Sequence, residues 1–243
     1  MDIHIFIISW AGQHENAIQI CKQVLKSSNK VTLIYSDPNP EMDFDLDCTI
    51  IRRPNELFWG DKFKSCLEHA EKSPILVIHA DCQYSNWPAL IQSCQNSTQK
   101  IPSIGVWSPL IDYVPWKMQT MLIANIADSP LRVVTRTDAI VFYLASPIVQ
   151  RMKLANYDTN LYGWGIEWMF VCAAYAQGMI TVIDSSIKVQ HPNNTGYPKA
   201  EAQLQLTEFL KQLSMREEIQ GRLLRSHIKL KGGTPIIPSA ASQ

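Results

Sequence analysis

The chain alternates short apolar runs with stretches that are apolar at every third or fourth position. Residues 3–8 form a largely apolar run that reads as a buried strand. Residues 14–28 follow with Ala17, Ile18, Cys21, Val24 and Leu25 at helical spacing. Residues 31–35 give a second strand, ended by the turn signal Ser36-Asp37-Pro38-Asn39-Pro40. Residues 48–51 predict a third strand, and Trp59-Gly60-Asp61-Lys62 opens a helix carrying Phe63, Cys66, Leu67 and Ala70. The central strand is Ile75-Leu76-Val77-Ile78, which runs directly into His79-Ala80-Asp81. A helix over 87–94 and a short strand over 101–106 come next.

Residues 107–130 break the rhythm. Trp107, Pro109, Tyr113, Pro115 and Trp116 predict a long aromatic loop, either a satellite core or a cover for a ligand. Strands over 131–134 and 139–144 and a helix over 147–154 precede Tyr162-Gly163-Trp164-Gly165-Ile166-Glu167. The paired glycines imply a tight turn, and an apolar helix follows up to Gly178. Residues 179–183 predict the last strand, and Val189-Gln190-His191-Pro192 ends the sheet region. One helical pattern covers 199–225, and residues 232–243 read as a flexible tail.

Composition narrows the class. The 243 residues are 46% hydrophobic and 18% charged, enough for a well-buried α/β core. Lys plus Arg (22) balance Asp plus Glu (22), so charge gives no case for nucleic acid. The six cysteines contain no CxxC pair and read as reduced, packed thiols. The first residues lack the basic and small-residue features of a signal peptide, and no apolar run approaches the ~18 residues of a membrane span. The expected setting is cytoplasmic. Arg222, Arg225, Lys229 and Lys231 cluster late, as a solvated face or as a weak contact with an anionic membrane surface.

The candidate chemistry lies at strand and helix ends. Ligands in open α/β sheets bind beyond the carboxyl ends of the strands. His79 and Asp81 sit there and, two positions apart, share one side of an extended chain. The plain alternative is a polar turn. Glu167 falls in the first turn of a helix, where the dipole favours a carboxylate whether or not it has a catalytic task.

The order of these pieces resembles the GT-A-fold glycosyltransferases of the family-2-like kind, over roughly residues 1–198. His79-Ala80-Asp81 looks like their Asp-x-Asp metal motif with histidine at the first position. Gly163-Trp164-Gly165-Ile166-Glu167 is similar to their Gly-Trp-Gly-x-Glu-Asp segment, with Trp168 in place of the last aspartate. The resemblance implies an α/β domain with a Rossmann-like mixed sheet flanked by helices. Its nucleotide-binding half covers 1–106 and its acceptor-binding half 107–198, with residues 199–243 as a helical extension and tail. It implies Mn2+ or Mg2+ held by Asp81 and His191, with or without His79. It implies a UDP-sugar contacted by Ser9, Trp10, Asp37, Asp61, His79 and Asp81. Tyr162 and Trp164 are the implied acceptor platform, with core packing as the other reading of Trp164. Glu167 is the implied base of an inverting transfer, and Asp158 its possible substitute. The acceptor is a glycan or lipid-linked sugar, in the setting of bacterial surface polysaccharide synthesis. A non-catalytic sugar-nucleotide or glycan-binding module is the alternative. A nucleotidyltransferase fits less well, because Ser9-Trp10-Ala11-Gly12-Gln13 has one glycine and no basic residue.

Overall fold

The computed structural model describes residues 2–36, 46–112, 114, 116–192 and 198–235. Asp37, Tyr113, Pro115 and the tail from 236 onward therefore lie outside the described residues. In chain order the elements are β1 (His4–Ser9), α1 (His14–Val24), β2 (Val31–Tyr35), β3 (Thr49–Arg52), α2 (Trp59–His69) and β4 (Ile75–His79). They continue with α3 (Trp87–Lys100), β5 (Ile104–Ile111), α4 (Met118–Met121), β6 (Leu122–Asn125), β7 (Leu131–Val134) and β8 (Val141–Leu144). The last are α5 (Ser146–Met152), α6 (Ile166–Ala176), β9 (Ile180–Val189), α7 (Lys199–Phe209) and α8 (Met215–Leu230).

The described strands join in one mixed sheet of nine, in the order β3-β2-β1-β4-β8-β5-β9-β7-β6. β3, β2, β1 and β4 are parallel, β8 runs against both β4 and β5, and β5 and β9 are parallel. Buried on both faces, β1, β2 and β4 are almost continuous apolar runs, as parallel central strands must be. The chain leaves β1 toward β2 on one side, while β4 adds on the other. A crevice therefore opens at the carboxyl ends of β1 and β4, the usual ligand position in such sheets.

The long loop expected over 107–130 is largely regular structure. β5 continues to Ile111, and Trp107 is fully buried in it, packed in the core rather than in a satellite cluster. Short α4 and β6 follow over residues 118–125. Pro109 is tolerated because the pairing of β5 with β9 shifts register after it. β9 is twice as long as expected, since its alternation of polar and apolar residues from Ser185 to Val189 marks a half-exposed strand. The C-terminal helical pattern divides at Leu213-Ser214. Ser214 caps α8 and Glu217 returns the bond, a capping box that makes a new start more favourable than continuation. All six cysteines are free thiols, five of them buried.

Candidate active site

The end of β4 is held by three neighbours. The Ala80 amide donates to Ile8 O (2.9 Å), and the Asn16 side chain of α1 donates to the carbonyls of Ala80 and Cys82. Gln83 and Gln190 form an antiparallel bridge, with Gln83 N to Gln190 O at 2.9 Å and Gln190 N to Gln83 O at 3.0 Å. This bridge brings the segment after β9 across to the turn after β4. His191 Nε2 consequently lies 3.2 Å from Asp81 Oδ2, although about 110 positions separate them in the chain. The His191 amide donates to Asp112 Oδ1 just beyond β5 (3.1 Å). Burial alone would lower the His191 imidazole, but its contact with Asp81 raises it above its ordinary value, with help from Asp138 and Asp112. Burial pushes Asp81 upward, but the bond from His191, together with the nearby His79 and His191 rings and its own backbone amide, leaves its carboxyl below the usual range.

His79 is buried differently. Its ring meets the edges of Trp59 (4.6 Å) and Trp10 (5.4 Å). Desolvation there lowers it to about 4, so it is a neutral imidazole at neutral pH. Its Nε2 and the Oδ1 of Asp81 are both buried without a hydrogen-bond partner. Two unsatisfied buried groups side by side are costly unless a ligand uses them. Among the described residues no three His, Cys, Asp or Glu side chains are gathered to hold a metal ion. Asp81 and His191 alone are a sufficient start for Mn2+ or Mg2+, which commonly take one or two protein ligands and complete their shell with substrate phosphate and water.

Trp59 connects the two sequence motifs. Gly163 has φ +71°, and a Cβ there would fall 2.3 Å from Trp59 Cδ1. The Gly60 amide donates to Leu161 O, and a Cβ at Gly60 would strike Asn160 O at 1.9 Å. Only glycines permit this approach, so the Gly-Trp-Gly segment rests on the start of α2 and, through Trp59, on His79.

Glu167 stands in the first turn of α6. Its Oε2 accepts the Gly165 amide (3.2 Å), and its Oε1 lies 4.0 Å from Arg136. Burial raises the Glu167 carboxyl, the pull of Arg136 offsets this only in part, and Asp138 adds to the rise. Arg136 is itself buried, with its guanidinium 3.7 Å above the Trp116 ring. Asp138 is raised by burial, less the attraction of Arg136 and His191. In the sequence, Arg136-Thr137-Asp138 is only a link between the strands expected over 131–134 and 139–144. Its single signal was a run of charge between two apolar strands.

Asp138, Asp112 and Trp116 also line a cavity of about 290 Å³, closed on its apolar side by Leu110, Met118 and Met121. The two charged clusters, Asp81–His191 and Glu167–Arg136, are thus linked through Asp138, which lines that cavity.

The remaining predicted residues are scattered. Ser9 is fully buried, its hydroxyl 2.7 Å from His14 Nδ1, and Trp10 is half-buried beside His79 and Lys62. Asp61 is engaged on both oxygens by Arg53. Tyr162 is buried beneath α7, with its hydroxyl donating to Glu201 (3.1 Å) and its ring against Phe58. Trp164 is half-buried at the edge of the main core. Asp158 is exposed and paired with Lys64 (2.9 Å), apart from the Arg136 cluster.

No protein family and no curated protein matches this sequence. Solved structures do match its fold. A crystal structure of GalNAc-T7 with UDP, GalNAc and Mn2+ superposes with TM-score 0.64 at 10% identity, covering 96% of this chain and 55% of that one. This chain therefore spans about half the length of that structure. A UDP-glucose pyrophosphorylase complexed with UDP-glucose gives TM-score 0.52 at 8% identity, over 87% of this chain and 100% of that one. Together with the nine-stranded mixed sheet, these likenesses establish a GT-A-type, Rossmann-like α/β fold.

Proposed function

We propose that the chain is a glycosyltransferase that moves a sugar from a UDP-sugar to a hydroxyl of a glycan or lipid-linked acceptor. The observation that carries this reading is the Asp81–His191 contact at the carboxyl end of β4, beside the buried, unpartnered Asp81 Oδ1 and His79 Nε2. That arrangement suits the diphosphate end of a nucleotide-sugar. Asp81 and His191 would hold Mn2+ or Mg2+, with His79 beside that pair rather than in it, since among the described residues no third ligand is gathered with them. The bound ion supplies Lewis-acid charge to the departing diphosphate.

The chain's own groups do the rest. Trp10, with Asp37 and Asp61, binds the nucleoside, and buried Ser9 supports that side through its bond to His14; Asp61 acts while braced by Arg53. Trp164 offers a stacking face to the acceptor, and Tyr162 fixes that segment through Glu201. The cavity beside Asp138 admits a group about the size of one sugar ring. Glu167 accepts the proton of the attacking hydroxyl. Its raised carboxyl is a stronger base than an ordinary glutamate, and Arg136 keeps it oriented. A single displacement assisted by such a base inverts the anomeric carbon. Assembly of bacterial surface polysaccharide is the setting we propose.

Calorimetric titration of UDP and GDP, with Mn2+ and then with EDTA, tests the donor site. Manganese-dependent binding of UDP is the expected result; no binding of either nucleotide overturns the reading. Donor hydrolysis lost in Glu167→Gln separates an enzyme from a non-catalytic binding module. A retained anomeric configuration in the product would sink the base mechanism.

A further inference from the structure

α8 has two apolar faces where one is enough for packing. Its inner face carries Glu217, Gly221, Leu224 and Ile228, all buried. Gly221 lets the helix close on α6, since a Cβ there would sit 3.2 Å from Cys172 Sγ. Arg225 lies along this side, 5.7 Å from the Trp168 ring. The other face carries Met215 (77% exposed), Ile219 (46%), Leu223 (59%) and Leu230 (88%). At about 100° per residue these four fall within a stripe roughly 80° wide, centred nearly opposite the buried face.

The flanks of that stripe are basic. Arg222 and Lys229 border one edge and Arg216 the other, and Lys231 follows at the C-terminal cap of the helix; all four are exposed. Glu218 is the one exposed acid on the outer face of α8, and it is paired with Arg222 at 3.5 Å. Four large apolar side chains held in water are unfavourable without a partner. An apolar strip between cationic borders matches the boundary between acyl chains and anionic headgroups.

We infer that the outer face of α8 is a docking surface for an anionic lipid membrane, with Met215, Ile219, Leu223 and Leu230 entering the headgroup layer. The basic borders give the selectivity for anionic lipid. The contact is peripheral: among the described residues no helix is long and apolar enough to cross a membrane. Because α8 packs on α6, which carries Glu167, docking also fixes how the candidate site faces the bilayer surface.

Co-sedimentation of the full chain with vesicles tests this without any nucleotide, so it stands or falls apart from the proposed activity. The expected result is binding to phosphatidylcholine mixed with phosphatidylglycerol, weak binding to phosphatidylcholine alone, and release by salt. The double change Ile219→Glu/Leu223→Glu should cut the bound fraction about ten-fold at an unchanged melting temperature. Lys229→Glu/Lys231→Glu should remove the preference for anionic lipid. Absent vesicle binding, or equal binding by the double variant, overturns the inference. So does a dimer, seen by sedimentation velocity, that disappears in the double variant while vesicles go unbound; the stripe then belongs to a second copy of this chain.

Discussion

Glu167 is held in a state it does not favour. Burial raises its carboxyl and Arg136 restores only part of the loss. An acid whose folded pKa exceeds its unfolded one gives stability that is whole below the unfolded value and fades as pH rises through the folded value. At neutral pH the ionised Glu167 is therefore a net cost. Glu167→Gln is expected to hold or raise the melting temperature while lowering transfer by about 10²–10⁴-fold. The wild-type rate should rise with pH along a limb centred above the ordinary carboxylate range. A variant that loses stability in step with activity would refute the assignment of Glu167 as base. Gly163 makes a complementary case, because its cost appears only on substitution. Gly163→Ala combines a strained positive φ with a methyl group inside the Trp59 ring. It should cost about 3 kcal/mol, seen as a melting temperature lower by roughly 6–12 °C, and should weaken nucleotide binding by displacing Trp59 from His79.

At the scale of elements, the central strands and the helices between them are legible because their burial is complete. β1, β2 and β4 have no exposed position, so their apolar runs are unbroken and their boundaries fall where polarity returns. The 107–130 stretch is not legible, because Trp107 and Pro109 resemble loop residues while the β5–β9 pairing recruits them. The C-terminal helices fail for another reason. Leu204, Ile219 and Leu223 match helical spacing as well as Leu206, Phe209, Leu224 and Ile228 do, yet only the second set is buried. Periodicity counts apolar positions without saying which face meets the protein. The break between these helices rests on Glu217, which accepts Arg151 Nε at 2.6 Å and the Ser214 amide at 2.7 Å. Burial pushes that carboxyl up, but the Arg151 and Ser214 bonds leave it below the usual range. A depressed acid gives stability that is present above its unfolded pKa and lost as pH falls through the folded one. Glu217→Gln should remove that acid-side loss and cost about 2–3 kcal/mol at neutral pH, against about 1 kcal/mol for Ser214→Ala. Thermal melts across the acid range compare them directly.

On the scale of the whole molecule, the candidate site is assembled from pieces that only the sheet brings together. The ends of β1 and β4, the strand link at 136–138, the first turn of α6 and the segment after β9 each supply one part. Sequence reading could find His79, Asp81, Glu167 and His191 one at a time, from strand ends and from resemblance. It could not find the Gln83–Gln190 bridge that joins Asp81 to His191, nor Arg136 as the partner of Glu167, since neither contact leaves a spacing in the chain. This dispersal predicts how ligand and stability couple. A ligand that joins the turn after β4 to the segment after β9 closes the sheet across β4, β8, β5 and β9, and so stabilises one cooperative unit. At a UDP concentration about 100-fold over Kd, the gain is about 2.7 kcal/mol, or a melting temperature raised by roughly 5–10 °C. The full rise is expected only with Mn2+ and UDP together. Asp81→Asn and His191→Ala should each abolish most of it, while Glu167→Gln should keep it, because the role proposed for Glu167 is at the acceptor and not at the diphosphate. A rise that persists in EDTA would remove the cation from the mechanism and leave His191, whose imidazole is already raised by Asp81, as the cationic group facing the diphosphate.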